Sequence, residues 1–171
     1  MPHQLTLLRH AKAAPTPSSG NGSADLDRPL NDRGELDAPL MGRRLKARRA
    51  RPTLFLTSPA RRARQTARIV AREIGFPQEF VQDEPELYLA TPDQILCVLA
   101  RQGSNYRDVI VCGHNPGLTE LANRLSGAGL AEIPTTGVVV LEFNVQDWAD
   151  IARERAELLF FDHPRRPSAD R

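Results

Sequence analysis

The chain has 171 residues, enough for one domain with a substantial core. Its formal net charge of +2 is too small to indicate nucleic-acid binding, and no apolar run reaches the ~20 residues that a membrane span requires. The two cysteines supply neither a disulfide framework nor the spacing of a metal site. We therefore expect a soluble, cytoplasmic protein with no cofactor.

Short apolar runs that alternate with helical patterns predict an α/β fold with a mostly parallel central sheet. Five strands are predicted, at residues 4–8, 53–57, 109–112, 138–143 and 157–161. The first three are almost continuously apolar, which is typical of strands covered by helices on both faces. We expect at least one of the last two strands to lie at an edge of the sheet.

Capping residues mark the predicted helices. An N-cap residue followed by proline occurs three times, at Ser58-Pro59, Thr91-Pro92 and Asn115-Pro116. Gly75 is predicted to end the first of these helices. An earlier helix is predicted to start at Asp37 and to end near Arg49, because Pro39 would break a helix that ran through it.

No linker or internal repeat divides the sequence, and we expect one domain over residues 1–162. Residues 15–25, PTPSSGNGSAD, are rich in proline, glycine and serine and predict a loop. The tail at residues 163–171 is expected to be disordered.

Polar side chains follow three of the predicted strands. Arg9 and His10 end the first strand, Ser58 and Arg62 follow the second, and His114 follows the strand at 109–112. Ligands of open α/β sheets bind beyond the carboxyl ends of the strands, so these side chains converge if the strands are parallel neighbours. Arginines and helix N-termini together favour a dianion, and we expect phosphate or sulfate to occupy this site.

Two alternatives bear on this hypothesis. A zinc site at His10 and His114 would need a third ligand, and the neighbouring Arg9 would repel a cation, so no metal is expected. A stripe of arginines on the helix after Ser58 is interpreted as a solvated basic face; its members are Arg61, Arg64, Arg68 and Arg72. Arg62 lies outside that stripe.

Four motifs occur in order over roughly the first three-quarters of the chain: LLRHAKA, RPLNDRG, TSPARRARQTA and VCGHNPGL. Together they resemble the histidine phosphatase superfamily, which includes phosphoglycerate mutases and acid phosphatases. The short chain and the DLDRPLNDRG segment resemble most its small bacterial phosphohistidine phosphatases of the SixA type. The resemblance implies a three-layer α/β/α sandwich of the phosphoglycerate mutase-like kind.

The resemblance also implies the catalytic roles. His10 corresponds to the nucleophile that becomes a transient phosphohistidine, and Arg9, Arg62 and His114 correspond to the pocket that holds the phosphoryl oxygens. For this chemistry the attacking nitrogen of His10 must be neutral, its other nitrogen should donate to a backbone carbonyl, and a protonated His114 would add a third cationic donor.

Further positions follow from the same resemblance. Arg28 matches a substrate-binding arginine at the pocket mouth, and Asp25 matches an acidic residue of that segment, with Asp27 as the alternative. Glu86 is the candidate general acid, and a surface role for it is equally open. Ala11 stands where the family usually has glycine, so the backbone there must keep an ordinary φ.

These residues predict a metal-independent phosphatase with a covalent phosphohistidine intermediate, acting on phosphohistidine in proteins. A phosphoramidate substrate would need no general acid, because its leaving nitrogen can arrive already protonated. The alternatives are a small-molecule phosphomonoesterase and a phosphate-binding or docking domain without turnover. The expected partner is a phosphorylated protein or a small phosphorylated substrate, and neither nucleic acid nor membrane.

Overall fold

Six strands form one mixed sheet in a computed structural model that describes residues 2–16 and 22–167. The strands are β1 (His3–Arg9), β2 (Leu54–Thr57), β3 (Gln82–Asp83), β4 (Asp108–Gly113), β5 (Val138–Phe143) and β6 (Glu157–Asp162). Their order is β3-β2-β4-β1-β5-β6; the pairs from β3 to β1 are parallel, and β5 pairs antiparallel with both β1 and β6. All five predicted strands are present, and β6 lies at an edge.

Helices cover both faces of this sheet. They are α1 (Gly22–Leu26), α2 (Asp32–Ala47), α3 (Arg61–Ile74), α4 (Pro92–Ala100) and α5 (Gly117–Ser126), with short 3₁₀ helices at Gln78–Phe80, Pro85–Leu87 and Trp148–Arg153. The helices α2 and α3 pack on one face, and α4, α5 and the last 3₁₀ helix pack on the other. The predicted three-layer α/β/α architecture is confirmed. Within the described ranges, no helix is long and apolar enough to cross a bilayer.

The alternation of side chains along β1 divides the core into two layers. Leu5 and Leu7 are fully buried against α4 and α5, whereas Leu8 is fully buried against α2 and α3. A strand with apolar residues on both faces is typical of a sheet that is covered by helices on both sides. This explains why β1, flanked by β4 and β5, carries the continuous run LTLL.

The predicted helix starts are correct only in part. Thr91 caps α4 through its side chain and forms a capping box with Gln94, and Gly75 ends α3 in the left-handed conformation, both as predicted. The start predicted at Ser58 is wrong, because α3 begins at Arg61. The start at Asn115 is wrong as well, because α5 begins at Gly117, after a cis peptide bond between Asn115 and Pro116.

The helix predicted to start at Asp37 begins five residues earlier. Asn31 caps α2 by accepting a hydrogen bond from the Gly34 amide at 2.9 Å, and Pro39 lies inside the helix. Proline removes one hydrogen bond from the helical ladder. The helix tolerates this loss because its inner face is buried, with Ala38, Met41 and Leu45 almost fully inaccessible.

Two predicted irregular segments are described only in part. Of the loop predicted at residues 15–25, residues 17–21 lie outside the described residues, and the stretch from Gly22 onward forms α1. Of the tail predicted to be disordered, residues 163–167 follow β6 as turns, and residues 168–171 lie outside the described residues. The single domain over residues 1–162 stays a prediction.

Candidate active site

The carboxyl ends of β1, β4 and β2 lie side by side, as the sequence predicts for parallel neighbours. This edge of the sheet brings the imidazoles of His10 and His114 together, with 5.1 Å between ring centroids. Arg62 reaches the same point from the first turn of α3 and is 3% exposed. Arg9 is the last residue of β1, beside His10. His10, Arg62 and His114 therefore meet at one point, and the positive charge of Arg9 also acts on the His10 ring.

A backbone contact determines the tautomer of His10. Its Nδ1 donates a hydrogen bond to the Ala11 carbonyl oxygen at 2.8 Å, which leaves a lone pair on Nε2. Burial lowers the pKa of His10 to about 4, assisted by the positive charges of Arg62, Arg9 and Arg28, although the bond to Ala11 acts in the opposite direction. At neutral pH, His10 therefore presents an unprotonated Nε2.

The loop after His10 has the ordinary backbone that Ala11 requires. Ala11 is fully buried against Leu30 and Ala38, and it is not among the residues with positive φ. Its amide donates to Thr66 Oγ1 at 2.9 Å, and that hydroxyl donates to the Arg62 carbonyl at 2.7 Å. One threonine of α3 thus ties the loop after His10 to the backbone of Arg62.

One nitrogen of the Arg9 guanidinium is hydrogen-bonded and another has no partner among the described residues. Its Nη1 donates to Glu132 Oε1 at 3.1 Å and to the Ile133 carbonyl at 2.9 Å, while its buried Nε has no hydrogen-bond partner among the described residues. The amide of Thr136, which has a positive φ of 62°, donates to the carbonyls of Arg9 and His10. A buried, unsatisfied guanidinium N–H is the kind of donor that an oxyanion satisfies.

His114 is neutral in this arrangement. Its Nδ1 lies 3.5 Å from Arg62 Nη2, which can only donate, so the proton is on Nε2 and donates to Ser58 Oγ at 2.7 Å. Burial lowers the pKa of His114 to about 3; repulsion from His10, once His10 is protonated, and from the charge of Arg62 acts in the same direction. Burial and the charge of Arg62 therefore disfavour the protonated form of His114, the form that would add a third cationic donor.

Asp25 closes the pocket from α1. Arg62 Nη1 donates to the Asp25 carbonyl at 2.7 Å, and Arg62 Nη2 donates to its Oδ2 at 3.1 Å. Arg28 Nη1 donates to Oδ1 at 3.0 Å, and Arg28 Nε donates to the Ala14 carbonyl at 2.7 Å. The structure thus places Asp25 and Arg28 at the predicted pocket mouth, whereas Asp27 lines a neighbouring cleft.

Tyr88 completes this cluster and is absent from the residues predicted from sequence. Its hydroxyl donates to Asp25 Oδ2, and its ring packs edge-on against His114 with 5.6 Å between centroids. Burial alone would raise the pKa of Asp25, but hydrogen bonds from Tyr88 and Arg28 and the charge of Arg62 outweigh it and lower the pKa to about 2. Asp25 is therefore a carboxylate at neutral pH, bound to groups that also suit phosphate.

Glu86, the candidate general acid, is placed away from the pocket. Its side chain is 54% exposed, and it accepts a 2.9 Å ion pair from Arg101, the residue that ends α4. Tyr88, two residues further on, is the side chain of this segment that enters the site. In the parts of the chain that the structure describes, no three potential metal ligands of the His, Cys, Asp or Glu type come together.

Ser58 and Thr66 also contribute to the site, and the sequence gives only weak indications of their roles. The sequence indicates Ser58 as a helix cap, but its hydroxyl accepts from His114 and from the Ala60 amide. Thr66 lies on the inner side of α3, and only its burial distinguishes it from a solvated threonine. A polar residue on the buried face of a helix is the signal that could have identified Thr66.

Comparisons with known proteins agree with the motifs. A family model described as the histidine phosphatase superfamily (branch 1) matches residues 5–88. The uncharacterized protein Rv1276c of Mycobacterium tuberculosis is 35% identical over 168 residues, which cover 92% of this chain and 100% of that protein.

Solved structures extend the likeness to the whole fold. An Agrobacterium tumefaciens protein assigned as phosphohistidine phosphatase SixA is 30% identical, covers 96% of this chain and 99% of its own, and superposes with a TM-score of 0.79. The protein histidine phosphatase SixA in complex with tungstate shares the fold at a TM-score of 0.77 and 22% identity, covering 94% of this chain and 97% of its own. By the family model and by its 30% identity and common fold with the Agrobacterium tumefaciens protein, the chain belongs to the histidine phosphatase superfamily.

Proposed function

We propose that this phosphatase works through a covalent phosphohistidine on Nε2 of His10 and acts on phosphohistidine in proteins. The observation that carries the proposal is the 2.8 Å bond from His10 Nδ1 to the Ala11 carbonyl, inside a pocket of arginines. This bond aims an unprotonated nitrogen at the place where Arg9 and Arg62 would hold a phosphoryl group. The catalytic residues are His10, Arg9, Arg62 and His114.

Binding of the phosphoryl group competes with Asp25. Arg62 Nη2 is bonded to the Asp25 carboxylate and Nη1 to the Asp25 backbone carbonyl, so a phosphoryl group that takes the Nη2 hydrogen bond displaces the carboxylate. Arg28 then serves as a substrate-binding residue, and Asp25 keeps the two arginines oriented until substrate arrives. The incoming dianion also raises the pKa of His114, because negative charge nearby favours the imidazolium.

In the first step, the lone pair of His10 Nε2 attacks phosphorus. The Nε2–P bond forms as the bond to the leaving group breaks, and the arginines stabilise the charge on the equatorial oxygens. A phosphohistidine protonated on its other ring nitrogen leaves as neutral imidazole, so no acid has to donate a proton. His10 becomes a phosphoimidazolium whose Nδ1–H remains bonded to Ala11.

In the second step, water attacks the phosphohistidine. The oxygen–phosphorus bond forms, the Nε2–P electron pair returns to His10, and both protons of the water leave on the phosphate product as dihydrogen phosphate. The charges of Arg9, Arg62 and Arg28 supply the electrostatic stabilisation that a metal ion gives in other phosphatases. We therefore propose a metal-independent cycle.

The position of Glu86 favours a phosphoramidate over an alkyl phosphate ester. An alkoxide leaving group needs a proton, but Glu86 is paired with Arg101, and Asp25 is ionised at neutral pH. The likeness to a protein assigned as phosphohistidine phosphatase SixA supports the same substrate class. A small-molecule phosphomonoesterase with an activated leaving group, such as an aryl phosphate, is the second candidate.

The deciding experiment compares two classes of substrate and tests whether turnover requires His10. A phosphorylated histidine-containing phosphotransfer domain and a panel of small phosphomonoesters are incubated with the wild type, His10→Ala and His163→Ala, the last being a histidine outside the site. We expect preference for the phosphorylated domain, loss of all turnover in His10→Ala and normal turnover in His163→Ala. A strong preference for the small esters would contradict the substrate proposal, and an active His10→Ala would contradict the mechanism.

A further inference from the structure

A cleft of about 530 Å³ adjoins the active site along α3. Leu26 and Pro59 of its lining are the chain neighbours of Asp25 and Ser58, so the cleft lies next to residues of the active site. The residues that line it are Leu26, Asp27, Pro59, Arg61, Arg64, Gln65 and Arg68. The mechanism described above uses none of these side chains.

The net charge of the cleft is positive. Arg61, Arg64 and Arg68 line one side, and Asp27 is the one acidic residue in the lining. Arg64 is already paired with Asp83 at 3.3 Å, whereas Arg61 and Arg68 are exposed and have no ion pair with any described residue. Two arginines without an ion pair to any described residue thus outnumber the single aspartate of the lining, which favours anionic groups in this cleft.

The spacing of Arg61, Arg64 and Arg68 along α3 gives the length of the cleft's basic side. Residues at i, i+3 and i+7 lie on one side of a helix, and with a rise of 1.5 Å per residue they span roughly 10 Å. An extended chain advances about 3.3 Å per residue, so roughly three residues cover this distance. Leu26 and Pro59 give an apolar contact at the end nearest the pocket. These dimensions suit a short peptide segment better than a single phosphate.

We propose that this cleft, Leu26 to Arg68, docks an acidic extended segment of the phosphorylated protein substrate. Carboxylates of that segment bind Arg61 and Arg68, while the phosphorylated side chain enters the pocket beside Asp25. The inference rests on the proposed function, since it assigns the protein substrate a binding surface outside the phosphoryl pocket. It predicts selection of substrates by acidic residues close to the phosphohistidine.

The test measures peptide binding separately from catalysis. Two fluorescein-labelled decapeptides, one alternating Glu and Gly and one alternating Gln and Gly, are titrated by anisotropy against the full chain. The variants are Arg61→Gln/Arg68→Gln and, with the same loss of charge, Arg51→Gln/Arg72→Gln. Arg51 and Arg72 are exposed arginines outside the cleft lining.

We expect the wild type to bind the acidic peptide more tightly than the neutral one. The cleft variant, Arg61→Gln/Arg68→Gln, should bind the acidic peptide roughly tenfold more weakly than the wild type does. The control variant should bind within about twofold of the wild type, and all three proteins should hydrolyse an aryl phosphate equally. Equal binding of the two peptides, or an equal loss in both variants, would overturn the inference. Acidic-peptide binding through the cleft without hydrolysis of any phosphohistidine substrate would contradict the proposed function and leave the docking surface standing.

Discussion

Replacing Asp25 by asparagine should strengthen the binding of inorganic phosphate. The Asp25 carboxylate bonds to Arg62 Nη2 at 3.1 Å and to Arg28 Nη1 at 3.0 Å, so it occupies donors that a phosphoryl group would use. The Asp25→Asn variant keeps the backbone carbonyl that holds Arg62 Nη1 but removes the negative charge. Phosphate then competes with a neutral amide instead of a carboxylate.

The magnitude follows from Coulomb's law. A dianion bound to the same arginines would lie on the order of 5 Å from the Asp25 carboxylate, and with solvent screening close to that of water, an effective dielectric constant of about 65, the repulsion is about 2 kcal/mol. Because 1.4 kcal/mol corresponds to a factor of ten, the inhibition constant of phosphate should fall by roughly 30-fold. The gain should shrink as ionic strength rises, since salt screens the charge.

The assay is competitive inhibition of aryl phosphate hydrolysis by inorganic phosphate. Asp27→Asn is the matched control, because Asp27 carries the same charge two residues along but lines the neighbouring cleft. We expect a change of less than about threefold in the control. Weaker phosphate binding in Asp25→Asn, or equal gains in both variants, would refute the reasoning.

Three further predictions concern the pocket and its support. Arg62→Lys should lower kcat for an aryl phosphate by roughly 100-fold or more, because lysine lacks the paired nitrogens of the guanidinium; unchanged kcat would exclude the assigned role. The pKa of His114, lowered to about 3, makes the protein lose stability as pH falls below 6.5, since only the unfolded state takes up the proton. The free energy of unfolding is measured in urea at pH 7 and at pH 4.5, and its decrease between the two should be about 2 kcal/mol smaller in His114→Gln than in the wild type. Equal decreases in the two proteins would contradict the prediction. Gly34→Ala should lower Tm sharply because its Cβ would overlap the Lys12 carbonyl oxygen, whereas Gly113→Ala, with its nearest contact at 3.8 Å, should not.

The position of the site could be predicted because it follows from topology. Arg9, His10 and His114 end or follow apolar runs, and parallel strands place such ends at one edge of a sheet. The rule requires only that β1, β2 and β4 are neighbours, which they are. The backbone partner of His10 was likewise predictable, since a histidine with one reactive nitrogen needs its other nitrogen held.

Contacts between distant segments were not predictable in this way. Tyr88 meets Asp25 across 63 residues of chain, and nothing in the local pattern PELYLATP connects it with α1. Glu86 is predicted from its position in the same segment, but the turn that places Tyr88 in the pocket leaves Glu86 beside Arg101. The predicted start of α2 is wrong because tertiary burial outweighs the backbone hydrogen bond that Pro39 removes.

Trapping the phosphoenzyme tests the proposed mechanism most directly. The protein is mixed with ³²P-labelled substrate, quenched in alkali within milliseconds and digested, and the labelled peptide is identified by mass spectrometry. We predict acid-labile phosphate on Nε2 of His10, absent from His10→Ala and retained by His163→Ala. Phosphate on another residue, or on Nδ1 of His10, would contradict the mechanism.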